Sequence, residues 1–289
     1  IRMKALFYLI SIPSSSSVRS LIKVYCLFGF YKRSSMFKVT IINIKIAYPL
    51  LNNKEQQDLA KESFIESLVS GFETFTSWSR QTHYAHENIF RITDQFLLTE
   101  NISKNNGLIV AAIHSRSVDM LLKWINVKTN TTTLYKKVKN QKLDSFVRAQ
   151  REANNNKVFE ASISGVRQLF KALISNKVIC LAPDQVPQDG MGEYVKLFNR
   201  DSYTTTLVPS LAVKTKKPVV FVSLNLNLNK KLEVNLINSN SDIYNDSKHQ
   251  LSMNKDIEKL ININASDYSW EYKRFKKPPI GISNPYLNI

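Results

Sequence analysis

The chain of 289 residues holds only two cysteines, Cys26 and Cys180, in different apolar segments, with no Cys-x-x-Cys pair and no metal-ligand spacing. That excludes a disulfide scaffold and a zinc module, and it predicts reduced core thiols of the kind found in proteins that face the cytoplasm. Long apolar runs are missing as well. Those at 5–12 and 20–31 each fall short of the roughly 20 residues a membrane-spanning helix needs, and Ser14 to Ser17, Arg19 and Lys23 interrupt them. There is no internal repeat, which excludes a solenoid. Acidic residues are absent from positions 1–53, where eight Lys or Arg stand among apolar stretches such as LFYLI and VYCLFGFY.

Such a stretch suits an anionic cytoplasmic leaflet, where each basic residue near the surface contributes on the order of 1 kcal/mol. Residues 1–35 are therefore expected to form an N-terminal membrane anchor that lies in the interface, with a spanning helix as the second choice, and residues 36–289 the main domain. No small-residue cleavage site follows the apolar runs, so a cleaved secretory signal is not expected. The formal net charge of +17 invites a nucleic-acid reading. It is not adopted: the chain is rich in Lys, Asn and Ile together, a bias that raises pI without selecting a ligand. It also lacks a zinc knuckle, helix-turn-helix spacing and an RNA-binding aromatic signature.

A chain of this length buries one sizeable core. The pattern predicts an amphipathic helix over 53–80, with Leu59, Phe64, Leu68 and Phe72 on one face. It then predicts a strand at 107–113, a helix after it, a strand at 132–136, and helices at 141–153 and 163–175. A strand at 177–182, a long loop at 183–203 and a helix at 204–215 follow, then strands at 218–226 and 231–237 and a helix at 248–263. The Asn- and Ser-rich stretch 236–248 reads as surface loop. Strands separated by helices imply an α/β domain with a mostly parallel, helix-covered sheet.

Within that frame one pair stands out. His114 follows the apolar run GLIVAAI on a strand-to-helix turn, with Ser115 or Ser117 as the helix cap, and Asp119 comes about one helical turn later. Ligands collect at the carboxyl ends of strands in open α/β sheets. On spacing alone, a hydrogen-bonded structural histidine remains the commoner reading. Ser115 and Ser117 are read as caps rather than nucleophiles. Asp184 and Gln185 end the strand VICLA and should emerge at the same edge, although on spacing alone a turn-forming Asp next to Pro183 is the better account of Asp184. Arg148 and Arg151 share a helix face, as ordinary solvated arginines also would. Lys136, Lys137, Lys139 and Lys142 form a basic cluster. His83, His86 and Glu87 lack a third ligand, so no metal site is expected. Thr204, Thr205 and Thr206 read as the cap of the helix that follows, and Trp270, Tyr272 and Phe275 as packing residues.

AAIHSRSVDML resembles the His-x4-Asp/Glu box of the glycerolipid acyltransferases and, more closely, of the bacterial lipid A biosynthesis (lauroyl/myristoyl) acyltransferases. The likeness continues in order: NIKIAYP at 43–49, NQKLDSFVRAQREA at 140–153, VICLAPDQ at 178–185, VKLFNRDSYTTTLVPSLAVKTKKPVV at 195–220, and YSWEYKRFKKPP at 268–279. The chain departs from the family where Ile113 replaces the Gly usual before the histidine and Asn199 the Gly frequent after Phe198.

The resemblance implies a glycerolipid-acyltransferase type of fold and transfer of a fatty acyl chain from acyl carrier protein to a hydroxyl of a lipid A precursor, with no cofactor. His114 is then the general base, and Asp119 the carboxylate that fixes its tautomer. Asp184 becomes a second acidic neighbour, Gln185 a hydrogen-bond partner of the acceptor, and Arg148 and Arg151 phosphate or oxyanion ligands, with Arg151 the stronger and phosphate the favoured partner. The basic lysine cluster would meet acyl carrier protein or membrane phosphates. The expected place is the cytoplasmic face of the bacterial inner membrane. The alternatives are acylation of another lipid (a lysophospholipid, ornithine lipid or glycolipid) and a non-catalytic membrane protein that retains the fold.

Overall fold

The structure is a computed structural model that describes residues 2–81 and 83–289. Its strands are β1 (Ile89–Thr93), β2 (Leu108–Ala112), β3 (Thr131–Tyr135), β4 (Lys157–Glu160), β5 (Val178–Leu181), β6 (Gly192–Leu197), β7 (Arg200–Thr205), β8 (Val219–Leu226) and β9 (Leu232–Asn238). Its α-helices are α1 (Arg2–Ile10), α2 (Ser15–Leu27), α3 (Ser35–Ala47), α4 (Asn53–Ser79), α5 (Tyr84–Asn88), α6 (Phe96–Ser103), α7 (Val118–Lys128), α8 (Gln141–Arg151), α9 (Ile163–Ile174), α10 (Leu207–Thr215) and α11 (His249–Ile263). Seven strands form one sheet in the order β1-β9-β8-β2-β5-β3-β4. Every neighbouring pair is parallel except β8 with β9. The expected mostly parallel, helix-covered α/β sheet is what forms.

Why β2 reads as an unbroken apolar run follows from its two partners and two covered faces. Ile109, Ala111 and Ile113 point into a core shared with α4, α9 and α11, while Leu108, Val110 and Ala112 point into a second core under α6 and α7. Successive side chains alternate across a strand, so a strand buried on both sides needs no polar positions. With β5 on one side and β8 on the other, β2 brings its C-terminal end, and the His114 turn after it, to the middle of the sheet edge.

Helix α4 starts with a reciprocal cap: the Glu55 N–H donates to Asn52 Oδ1 at 3.0 Å and the Asn52 N–H donates to Glu55 Oε2 at 2.8 Å. Its buried face differs from the expected one. Leu68 is exposed, and the inward stripe through Ala60, Phe64 and Val69 also carries Glu66 and Glu73.

Other differences lie in short or polar elements. The expected loop 183–203 contains the antiparallel hairpin β6–β7, whose strands pair only with each other. Thr204 and Thr205 close β7, so the following helix begins at Leu207 instead of 204. Strands β1 and β4, at the two sheet edges, complete the set.

Residues 1–35 were expected to stand apart as an anchor. Within the described residues, α1 and α2 pack on α4, Phe7 stacks on Phe75 with ring centroids 5.2 Å apart, and Cys26 and Tyr31 are buried in the core. Their outer side is apolar: Leu21, Leu27 and Phe28 are 70%, 76% and 68% exposed. No helix among the described residues is long and apolar enough to cross a membrane.

Candidate active site

His114 leaves β2 on a turn tied down from three directions. The Ser115 N–H donates to the Ile113 carbonyl at 2.8 Å, the Ser269 N–H to the His114 carbonyl at 2.9 Å, and the Arg116 N–H to the Asp267 carbonyl at 3.0 Å. Ser117 caps α7, its Oγ accepting from the Met120 N–H at 3.2 Å, and Ser115 Oγ accepts from Asn225 Nδ2 at 3.0 Å. Both serines are buried and engaged, which leaves neither as a nucleophile.

The partner of the imidazole is Asp184, where Asp119 was expected. Asp184 Oδ1 is 2.8 Å from His114 Nδ1, and its Oδ2 accepts the His114 backbone N–H at 2.8 Å. Sheet order is the reason. β5 lies directly beside β2 in parallel register, so the residue that follows its end, past Pro183, reaches the neighbouring strand's turn. Asp184 is buried; burial alone would raise its pKa, but the His114 charge and hydrogen bonds hold it below the usual aspartate value. For His114, burial pulls the pKa down, and the charge and hydrogen bond of Asp184 more than reverse this, so it lies above the ordinary value. With Asp184 accepting a hydrogen bond from Nδ1–H, Nε2 is left as the free acceptor.

Asp119 is used otherwise. Arg151, the last residue of α8, grips it with two bonds, Nε to Oδ1 at 2.7 Å and Nη2 to Oδ2 at 3.0 Å. The planar fork fixes the guanidinium on the cavity wall. Arg148 turns the other way: it is exposed and pairs with Glu152 at 2.8 Å, and it does not line the cavity.

That cavity measures about 410 Å³ and brings together His114, Arg151, Gln185 and Lys136 with an apolar wall. Val118, Leu122 and Ile125 line it from one face of α7, so the apolar surface runs some 10 Å away from the histidine at 1.5 Å per residue. Cys180 also lines it, but burial pushes its thiol up to about 12, which keeps it protonated and unreactive. A larger recess of about 620 Å³ at the β8–β9 turn contains none of the expected site residues. The His86 ring lies against Trp124 with its Nε2 3.2 Å from the Trp124 carbonyl, a packing arrangement.

One part of the site had no counterpart in the reading of the sequence. Arg116 is buried among Glu66, Glu73 and Asp267, and Glu66 also binds Arg19 of α2. The available signal was Glu66 and Glu73 two turns apart within an apolar helix face. Trp270 and Phe275 pack in the core as expected, and the Tyr272 hydroxyl accepts the Val186 N–H at 3.1 Å beside the cavity.

A family model described as bacterial lipid A biosynthesis acyltransferase matches residues 3–277. No curated protein matches the chain.

Proposed function

The chain belongs to the bacterial lipid A biosynthesis acyltransferases, and within that family we propose that it moves a fatty acyl group from acyl carrier protein to a hydroxyl of a lipid A precursor, with His114 as general base. The observation that carries this reading is the His114–Asp184 pair at the head of an apolar cavity with Arg151 on its wall.

The chemistry follows from the residue types. Nε2 takes the proton of the acceptor hydroxyl as its oxygen attacks the thioester carbonyl carbon. Asp184 stabilises the imidazolium and holds the ring, as the carboxylate does in hydrolase triads. When the tetrahedral intermediate collapses, the C–S bond breaks and the thiolate takes the proton from Nε2. No acyl-enzyme forms, in keeping with the engaged Ser115 and Ser117 and the protonated Cys180.

Arg151 has two candidate partners, a lipid phosphate or the oxygen that becomes anionic. Like His114 it stands on the cavity wall, close enough for its charge to oppose that of the imidazolium, which favours the oxyanion. Gln185, half-buried on that wall, suits a hydrogen bond to the acceptor. The acyl chain lies along Val118, Leu122 and Ile125. Lys136 at the rim, with exposed Lys137, Lys139 and Lys142 next to it, offers positive charge to an acidic carrier protein.

The outer apolar side of α1 and α2, with the basic residues around it, supports a seat on the cytoplasmic surface of the inner membrane, with these two helices lying in the interface. The test is mass spectrometry of a purified lipid A precursor incubated with acyl carrier protein donors and the enzyme. A mass gain of one acyl group supports the reading. Acylation of a lysophospholipid in its place would reassign the acceptor.

A further inference from the structure

Arg116 lies two residues past His114 with its backbone in the left-handed region, φ +56°, and its side chain fully buried. A residue with a Cβ holds that conformation only where its surroundings impose it. Four bonds do so here. Nη2 and Nε reach Glu73 at 2.6 and 3.1 Å, and Nη1 reaches Glu66 at 2.7 Å and Asp267 at 2.9 Å. Asp267 also accepts the Arg116 main-chain N–H through its carbonyl, so the side chain and the backbone of the catalytic turn are locked to one segment.

Glu66 is the shared member. Its Oε2 takes Arg116, while Arg19 of α2 takes both oxygens, Nε to Oε1 at 2.7 Å and Nη2 to Oε2 at 2.9 Å. Burial raises the pKa of Glu66, but the two arginines bring it down to about 2. The ions run unbroken from an N-terminal helix to the turn that carries the base. Because buried ions must be desolvated, such a network adds little stability over apolar side chains; what it imposes here is geometry, the four bonds that fix Arg116.

We propose that Arg116 is a positioning residue for His114, and that through Glu66 the alignment of the base depends on Arg19 and hence on the seating of α2. The inference rests on the reading of His114 as the base. Without Arg19, Glu66 has lost one of its two guanidinium partners and moves to rebalance the charge. Arg116, Asp267 and the turn move with it.

The test uses the full chain in detergent, labelled with ¹⁵N at its four histidines, as wild type, Arg19→Gln and Arg19→Lys. Arg19 lies outside the cavity and is buried, with 11% of its side chain reached by solvent. The Nδ1–H resonance of His114, at low field in its bond to Asp184, is expected to shift or broaden in Arg19→Gln and to be intermediate in Arg19→Lys. Turnover in Arg19→Gln is expected to fall roughly tenfold, at unchanged donor KM, since sub-ångström misplacement of a catalytic group is costly. If Arg19→Gln does not fold, Arg19→Lys carries the test alone: a displaced resonance supports positioning and a wild-type one overturns it. A wild-type resonance and turnover in Arg19→Gln with only a lowered Tm would make the network purely structural. Retained turnover in His114→Ala, with the resonance still responding to Arg19, would overturn the base assignment and not the coupling.

Discussion

Asp184 grips His114 at two points, the ring Nδ1 and the backbone N–H, each at 2.8 Å. Both partners donate, so only a carboxylate, with acceptors on both arms, satisfies the pair; an asparagine would turn an NH2 group towards one of the donors.

The pH dependence carries a sign. His114 acts as a base only when neutral, and its pKa lies above 6.5 because the Asp184 charge and hydrogen bond outweigh burial. The wild-type kcat/KM should therefore fall as pH drops through a value above 6.5. In Asp184→Asn, burial and the Arg151 charge both lower the pKa, with Glu271 alone opposing, so the acid limb should move below 6.5. The plateau should drop by roughly 10² to 10⁴. An acid limb that stays in place would show that Asp184 does not control the imidazole.

Stability follows the same pair. The raised His114 contributes fully below pH 6.5 and its contribution fades as pH rises through the folded-state value. The depressed Asp184 contributes above pH 3.8 and its share fades as pH falls through its folded-state value. The Tm difference between wild type and Asp184→Asn should thus be largest between pH 3.8 and 6.5. A difference that does not vary with pH would contradict this.

Arg151→Lys keeps the charge but loses the two-pronged grip on Asp119. With Arg151 beside the reacting carbonyl, the loss should appear mainly in kcat, by roughly tenfold to a hundredfold, with KM values near wild type. Asp119→Asn should behave alike, because it frees the same guanidinium, and should leave the acid limb where it is. A rise confined to the acceptor KM would return Arg151 to a phosphate.

Strands β2 and β5 were legible because both of their faces are apolar, β8 because only Ser223 and Asn225 interrupt its apolar run, and α4 because it is long. The edge strand β4, four residues with only Val158 fully buried, and the polar hairpin β6–β7 gave no such pattern. At the site, His114 and Arg151 were legible as residue types on a turn and a helix. The choice between Asp119 and Asp184 was not, since it depends on β5 lying beside β2, which no local pattern encodes. Arg116 escaped because a single arginine in a loop looks like any solvated one until the glutamates of α4 surround it.

The N-terminal face separates membrane binding from folding. Deleting residues 1–35 would remove buried Arg19, Cys26 and Tyr31 along with the apolar surface, so outward side chains are the better target. Leu21→Ser combined with Leu27→Ser and Phe28→Ser should abolish most co-sedimentation with anionic vesicles while leaving Tm within about 2 °C, because exposed positions contribute little to the core. Unchanged co-sedimentation would move the membrane contact elsewhere, to the basic face around Lys136, Lys137, Lys139 and Lys142.

The most direct test is acyl transfer itself. Wild type and His114→Ala, each shown to be folded by its thermal transition, are incubated with acyl carrier protein donor and lipid A precursor, and the products are weighed by mass spectrometry. The expected result is one added acyl group with wild type, and a rate lower by roughly 10² to 10⁴ with His114→Ala. An inert wild type, or a folded His114→Ala that works at the wild-type rate, would contradict the account.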